Sequence, residues 1–291
     1  MIPCSAHMTS QGKSLKSIAD VAFLGPAGTY SHLIAEKRFG SACRYAPQST
    51  ILDVCTYVAR GRGRCGIIPV ENSSGGAIYE TVDILLAGKP RVTIAEEVSL
   101  NVRLALLGKR GQPVKHLYSH FAPLEHCATW IRKTLPEAEK HPVVSTAAAA
   151  SLAAESPNAA ALGNRKIAKS LGLDILKFPV QAELPNITAF LVIGNVPERK
   201  LRRHRTTLAV TLLNEPGALC TFLETFRDHK INLSRLLSRP IRGCPKEYAF
   251  LVDIDGRSDS PAVSAGIRAA RKASATLRIV GTYGIGAEYK S

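Results

Sequence analysis

The 291-residue chain contains no run of eighteen apolar residues, so no segment of it reads as a membrane-spanning helix. The alanine-rich stretch from Thr146 to Leu162 is interrupted by Ser151, Glu155, Ser156, Pro157 and Asn158, which makes it a helix followed by a loop. Cysteine occurs seven times, at positions 4, 43, 55, 65, 127, 220 and 244, never as C-x-x-C and not in an even number. That usage indicates neither a disulfide framework nor a structural zinc site. Residues 1–17 lack the charged-then-apolar layout of a signal peptide and the arginines of a transit peptide. They read as a disordered arm, the expected compartment is the cytoplasm, and the N-x-[ST] matches at Asn72, Asn186 and Asn232 are then chance hits for glycosylation.

Acidic residues are outnumbered, 23 against 38 lysines and arginines, for a net charge of +15. The basic residues cluster in ERKLRRHR (198–205) and RAARKA (268–273), without the interleaved aromatics of a single-strand binder. A nucleic-acid partner is therefore not expected. The first cluster reads as a solvated linker and the second as a helix face, with small anionic ligands the better match to the charge.

What is present is an ordinary globular composition, 45% hydrophobic and 21% charged, of a length that predicts two domains. From Asp20 onward strands and helices alternate: VAFLG, then YSHLIAEKRF; CGIIPV, then AIYETVDILLAG; SLNVRLALLG, then PLEHCATWIRKTLP. The alternation predicts an α/β domain with largely parallel strands over residues 18–197. After a basic linker at 198–205 the order becomes βαββαβ over 206–287, the ferredoxin-like arrangement.

Four polar stretches sit where apolar strands end. GPAGTYSH (25–32) lies between a strand and a helix, where free N–H groups and the hydroxyls of Thr29, Tyr30 and Ser31 suit an anion, although a helix cap explains it equally well. PVENSSGG (69–76) puts four polar side chains and two glycines at a strand's carboxyl edge, where open α/β sheets bind ligands. YSHFAPLEHC (118–127) offers Ser119 and His120, which as sequence neighbours on a strand point opposite ways and form no nucleophile pair. A metal site from His116, His120 and His126 lacks a fourth ligand at sensible spacing. PNITAFLVIG (185–194) carries Asn186 and Thr188 into an apolar strand. None of the four names a reaction by itself.

Taken in order, the chain resembles the prephenate dehydratase family. G-P-x-G-x-Y-S stands as Gly25 to Ser31, P-[IV]-E-N-S as Pro69 to Ser73, S-H with a downstream Cys as Ser119, His120 and Cys127, and S-T-x-A-A as Ser145 to Ala149. The second unit resembles the ACT regulatory domain of these enzymes, with G-A-L as Gly217 to Leu219 and the regulatory E-S-R-P element as Leu237 to Pro240.

The resemblance implies a two-lobed, periplasmic-binding-protein-like catalytic domain with an inter-lobe cleft. It implies conversion of prephenate to phenylpyruvate with loss of water and CO2, without cofactor or metal, and with catalysis by Thr188. Gly28, Thr29, Tyr30, Ser31, Asn72, Ser73, Ser119, His120, Thr146 and Phe190 would bind substrate. L-phenylalanine would bind as effector at Gly217, Ala218, Leu219, Ser238, Arg239 and Pro240, in a homodimer or homotetramer.

Two positions depart from the pattern: the family's T-R-F is Thr188, Ala189 and Phe190, and the regulatory Glu is Leu237. Either another cation such as Arg165 or Lys166 replaces the arginine, or that arginine is structural in relatives, or the substrate has changed. An arogenate dehydratase, a non-aromatising prephenate decarboxylase and an amino-acid sensor without catalysis are the alternatives.

Overall fold

The structure, a computed structural model, describes residues 20–40, 42–180, 185–196, 199–241, 243–244 and 246–291; the expected 1–17 arm lies outside the described residues. The first part of the chain runs β1 (Asp20–Leu24), α1 (Tyr30–Phe39), β2 (Arg44–Gln48), α2 (Ile51–Ala59), β3 (Cys65–Asn72), β4 (Gly76–Ala77), α3 (Tyr79–Ala87), β5 (Ile94–Asn101), β6 (Ala105–Gly108), β7 (His116–Ser119), α4 (Phe121–His126), α5 (Ala128–Thr134), β8 (Glu139–Pro142), α6 (Thr146–Glu155), β9 (Ala159–Gly163), β10 (Asp174–Lys177) and β11 (Ile187–Gly194). The second part runs β12 (His204–Thr211), α7 (Ala218–Asp228), β13 (Leu233–Pro240), β14 (Tyr248–Asp255), α8 (Pro261–Lys272) and β15 (Thr276–Lys290).

The first part builds two lobes. Strands β2, β1, β3, β11 and β5 lie side by side in one sheet, while β10, β6, β9, β7 and β8 form a separate five-stranded sheet. The chain crosses between the lobes after β5 and again before β11. There the two crossing segments bond to each other, Val102 N–H to the Asn186 carbonyl at 2.7 Å and Val180 N–H to that of Leu104 at 2.8 Å.

These crossings explain two differences from the sequence reading. SLNVRLALLG is two strands, β5 and β6, in different lobes. The expected parallel pairing holds for β1 with β2 and β3 and for β7 with β8 and β9, whereas β11 returns antiparallel to β3 and β5, and β6 is antiparallel to β9 and β10. The helix expected over 123–136 is α4 and α5, broken at Cys127.

The second part has the expected βαββαβ order. Phe222 and Phe226 of α7 and Val263, Ile267 and Ala270 of α8 pack on Leu208, Val210, Val252, Ile254 and Leu277. It is less separate than the sequence suggested. β15 continues to Lys290, and its distal half pairs in parallel with β5, Gly284 opposite Glu96 and Tyr289 opposite Leu100. The result is one ten-stranded sheet shared by the first lobe and the βαββαβ unit.

The basic stretch before it is solvated at Lys200, Arg202 and Arg203 but tied down at two points. The Arg199 guanidinium meets Glu96 at 3.1 Å, and Arg205, already in β12, donates to both Glu97 carboxylate oxygens at 2.7 and 2.8 Å.

Candidate active site

Between the lobes lies a cavity of about 250 Å³ lined by Thr29, Tyr30, Ser31, Pro69, Asn72, Ser74, Val102, His120, Ala122, Pro123, Val144, Ser145, Thr146, Asn186, Thr188 and Phe190. A second hollow of about 480 Å³ adjoins it, sharing Thr29, Ser31, Val144 and Ser145.

Thr188 sits at the start of β11, level with Asn72 at the end of β3. The Asn72 amide donates to Thr188 Oγ1 at 2.8 Å and to Asn186 Oδ1 at 2.7 Å, while its own Oδ1 accepts the N–H groups of Ser74 and Gly75 at 2.9 and 2.8 Å. With one lone pair engaged by Asn72, the Thr188 hydroxyl keeps its proton for a group in the cavity.

Two ten-residue helices begin at the wall. Thr29 caps α1, accepting the His32 N–H, and Ser145 caps α6, accepting that of Ala148 at 3.0 Å. Their first-turn N–H groups have no partner within the helix, and with the positive dipole ends they favour an anion. Gly28, at φ +90, lets the α1 loop close onto the other lobe. Its carbonyl accepts from Asn164 at 3.2 Å, and a Cβ there would meet Ile167 at 2.4 Å.

Among the described residues lining this cavity none is lysine, arginine, aspartate or glutamate. Its imidazole, His120, is pushed below the ordinary histidine value by burial, so it faces the cavity as a neutral hydrogen-bonding group. The Tyr30 hydroxyl is buried without a hydrogen-bond partner among the described residues. Burial, with Cys127 adding, holds its proton far above the usual phenol range. Burial also pushes the Cys127 thiol up to about 11, which makes it a packing group rather than a nucleophile.

Of the residues expected to bind substrate, Thr29, Tyr30, Ser31, Asn72, His120, Thr146 and Phe190 line the cavity, as does Thr188, expected to be catalytic. Gly28, Ser73 and Ser119 do not. Ser73 turns away, accepting the Ile187 N–H at 2.9 Å and donating to the Pro185 carbonyl at 2.8 Å, and so ties β3 to the start of β11. Ser119 is fully buried and donates to the Leu162 carbonyl at 2.8 Å, joining β7 to β9. Gly28 contributes through its backbone turn. Asn186 and Ser145 were not among the expected residues. The first lies in a crossing segment and was visible as a polar residue just before a strand; the second is a cap and opens the S-T-x-A-A motif.

The family arginine's position is also placed. Ala189 faces the opposite side of the sheet from Phe190, onto an apolar cluster with Ile68, Leu191, Leu251 and Tyr283 that Leu237 joins. The two departures from the pattern thus pack on one cluster, on the face of the sheet away from the cavity. The suggested replacement cations are elsewhere, Arg165 over the Phe178 ring at 4.1 Å and Lys166 with Glu36 at 3.2 Å. Glu71 points the same way as Ala189 and is held by Arg235 at 3.0 Å.

In the βαββαβ unit, Gly217 caps α7 at φ +82, and Ala218 and Leu219 line a hollow of about 150 Å³ with Leu212, Asn214, Tyr248 and Phe250. Ser238, Arg239 and Pro240 lie outside its lining, on the outer strand β13. There Arg239 grips Asp83 of α3 through two bonds of 2.6 and 2.8 Å.

Fold and site together define a two-lobed α/β protein with two helix N-termini opening onto its inter-lobe cleft and an appended βαββαβ unit. The sequence profile of the prephenate dehydratase family matches residues 21–198, and the chain belongs to that family. It is 34% identical over 272 residues to the bifunctional chorismate mutase/prephenate dehydratase of Aquifex aeolicus, covering 93% of this chain and 75% of that one. It is 28% identical to the prephenate dehydratase of Lactococcus lactis, covering 91% and 97% of the two chains. Among solved structures, a prephenate dehydratase from Arthrobacter aurescens in complex with L-Phe superposes with a TM-score of 0.81 at 27% identity, covering 91% of this chain and 90% of the other.

Proposed function

We propose that the protein is a prephenate dehydratase, removing the ring carboxylate as CO2 and the C4 hydroxyl as water to give phenylpyruvate. The C–C bond electrons freed by decarboxylation move through the ring and expel the hydroxyl, which must gain a proton or its equivalent as it leaves. Aromatisation supplies the driving force, so the protein's task is to orient the dianion and stabilise the departing oxygen. The observation that carries this reading is the Asn72–Thr188 pair facing two helix N-termini across the cavity.

In this reading the Thr188 hydroxyl donates to the departing oxygen, while Asn72 fixes its rotamer. The α1 and α6 first-turn N–H groups, with the hydroxyls of Ser31 and Thr146, hold the two carboxylates. His120 completes the polar wall, Tyr30 contributes ring surface with its hydroxyl buried behind it, and Phe190 lies under the ring. The absence of an acidic residue among the described lining favours prephenate over arogenate, whose ammonium would call for one.

Product analysis after incubation with prephenate at neutral pH tests the proposal. Phenylpyruvate from the intact protein and not from a Thr188→Ala variant supports it. CO2 without an aromatic product would make it a decarboxylase, turnover of arogenate alone would reassign the substrate, and no turnover would leave a sensor.

We further infer that residues 206–287 form an ACT regulatory domain that takes L-phenylalanine near Gly217 to Leu219 and against Ser238 to Pro240 of a second copy. The α7 N-terminus suits the amino acid's carboxylate, and β13 is an outer strand whose free backbone groups suit pairing with its counterpart. A homodimer or homotetramer is therefore expected. Light scattering with and without L-phenylalanine checks it, and a monomer unchanged in mass and melting temperature would contradict it.

A further inference from the structure

We propose that His116, Glu139 and His141 form a divalent transition-metal site, with zinc the ion that the donor set fits, on the face of the five-stranded sheet near its β8 edge. Strands β7 and β8 run parallel in register, His116 opposite Glu139 and Tyr118 opposite His141. Residues two apart on a strand share a face, so all four side chains project together.

The donor atoms are already at coordination spacing. His116 Nδ1 lies 3.0 Å from His141 Nε2, and each lies 3.6 Å from Glu139 Oε2. The point equidistant from three atoms so placed is about 2.0 Å from each, the length of a zinc–imidazole or zinc–carboxylate bond. An ion displaced out of that plane approaches tetrahedral angles and leaves a fourth position for water. Two imidazole nitrogens and one carboxylate oxygen suit zinc, and copper or nickel by affinity order, better than calcium or magnesium.

The surroundings support the assignment. The His141 ring stacks on Tyr118, centroids 4.8 Å apart at 23°, which fixes the orientation of one ligand. The side chains are 41, 68 and 30% exposed in chain order, so an ion enters from solvent. The two imidazole nitrogens that face each other at 3.0 Å can each give a lone pair to one ion, with the Glu139 carboxylate as the third donor.

The site is separate from the cleft but bears on it. β7 runs on into His120, and β8 runs on through Val144 to Ser145 and Thr146, all four of which line the cavity. An ion bridging β7 to β8 ties together the strands that carry these two parts of the wall.

The test uses the full chain, freed of metal with a chelator and titrated with zinc chloride by calorimetry, beside a His116→Asn/His141→Asn double variant and the near-isosteric Glu139→Gln. Far-UV circular dichroism establishes that each variant is folded. One zinc per chain, lost in the double variant and weakened about tenfold or more by Glu139→Gln, is the expected result. Zinc should also raise the melting temperature of the parent and not of the double variant. Equal zinc stoichiometry and affinity in parent and variants would place the ion on other groups and overturn the proposal, as would a parent that binds none.

Discussion

Asn72 spends its whole amide inside the protein, on Thr188, Asn186, Ser74 and Gly75, so in the proposed mechanism it positions and Thr188 makes the contact. The neighbouring departure, Ala189, faces away from the substrate. Introducing arginine there should therefore leave KM for prephenate unchanged in steady-state assays, because its guanidinium would extend on the face where Glu71 stands opposite and not into the cavity. Histidine gives the pH dependence at this scale. Burial lowers both His32 and His120 below 6.5, so the folded protein holds these protons less tightly than the unfolded chain. Their contribution to stability is complete above pH 6.5 and is lost as pH falls through the lower folded values. Melting temperature against pH should decline less steeply in His120→Asn than in the parent.

Thr188 and Asn72 stood out in the sequence as polar residues starting or ending an apolar strand, while the roles expected of them came from the family resemblance. Ser73 and Ser119 carry the same signal but turn to backbone carbonyls. Composition fixes where a strand ends, whereas side-chain direction depends on which neighbour offers an acceptor.

At the scale of elements, α1 and α6 stand where a lysine or arginine would be expected. Thr29 and Ser145 cap them, and their amino ends supply the positive potential that no side chain of the described lining provides. Ser145→Ala removes the α6 cap and should lower stability by about 1 kcal/mol. It should also raise KM more than it lowers kcat, since the same turn is proposed to hold a substrate carboxylate; steady-state kinetics and thermal melting check both. Helices and strands were mostly readable from periodicity. Elements such as β2, α2, β8 and β10 were not read at all, and β5 with β6 and α4 with α5 were each merged because an apolar run continues across a change of lobe or a break at Cys127. The return of β11 against its neighbours has no local signature, since pairing direction is set by the tertiary crossing.

The whole molecule is held across its two parts by buried charge. Arg235 of β13 bonds Asp253 and Glu71, with Glu97 at 3.5 Å. Arg205 bonds Glu97, and Thr207 donates to Asp253 at 2.5 Å. Asp253 is fully buried, so Arg235→Met would leave its carboxylate without its nearest partner and should cost about 3–5 kcal/mol, read by denaturant unfolding. Because Glu71 adjoins Asn72 in β3, the same contact links the βαββαβ unit to the catalytic wall. The sequence showed the two units and their order. It hid their fusion into one sheet, because the pairing of β15 with β5 joins segments far apart in the chain, and it disguised Arg199 and Arg205 as a solvated linker although their acidic partners lie in β5.

The central claim is that the Thr188 hydroxyl, held by Asn72, assists departure of the C4 oxygen. The direct measurement is steady-state prephenate turnover by Thr188→Val, which keeps the side chain's volume and removes its donor. Loss of one positioned donor of this kind is worth about 2.7–4 kcal/mol, so kcat should fall about a hundred- to a thousand-fold with KM little changed and the melting temperature close to that of the parent. A folded Thr188→Val protein that turns over prephenate within a few-fold of the parent rate would contradict the account.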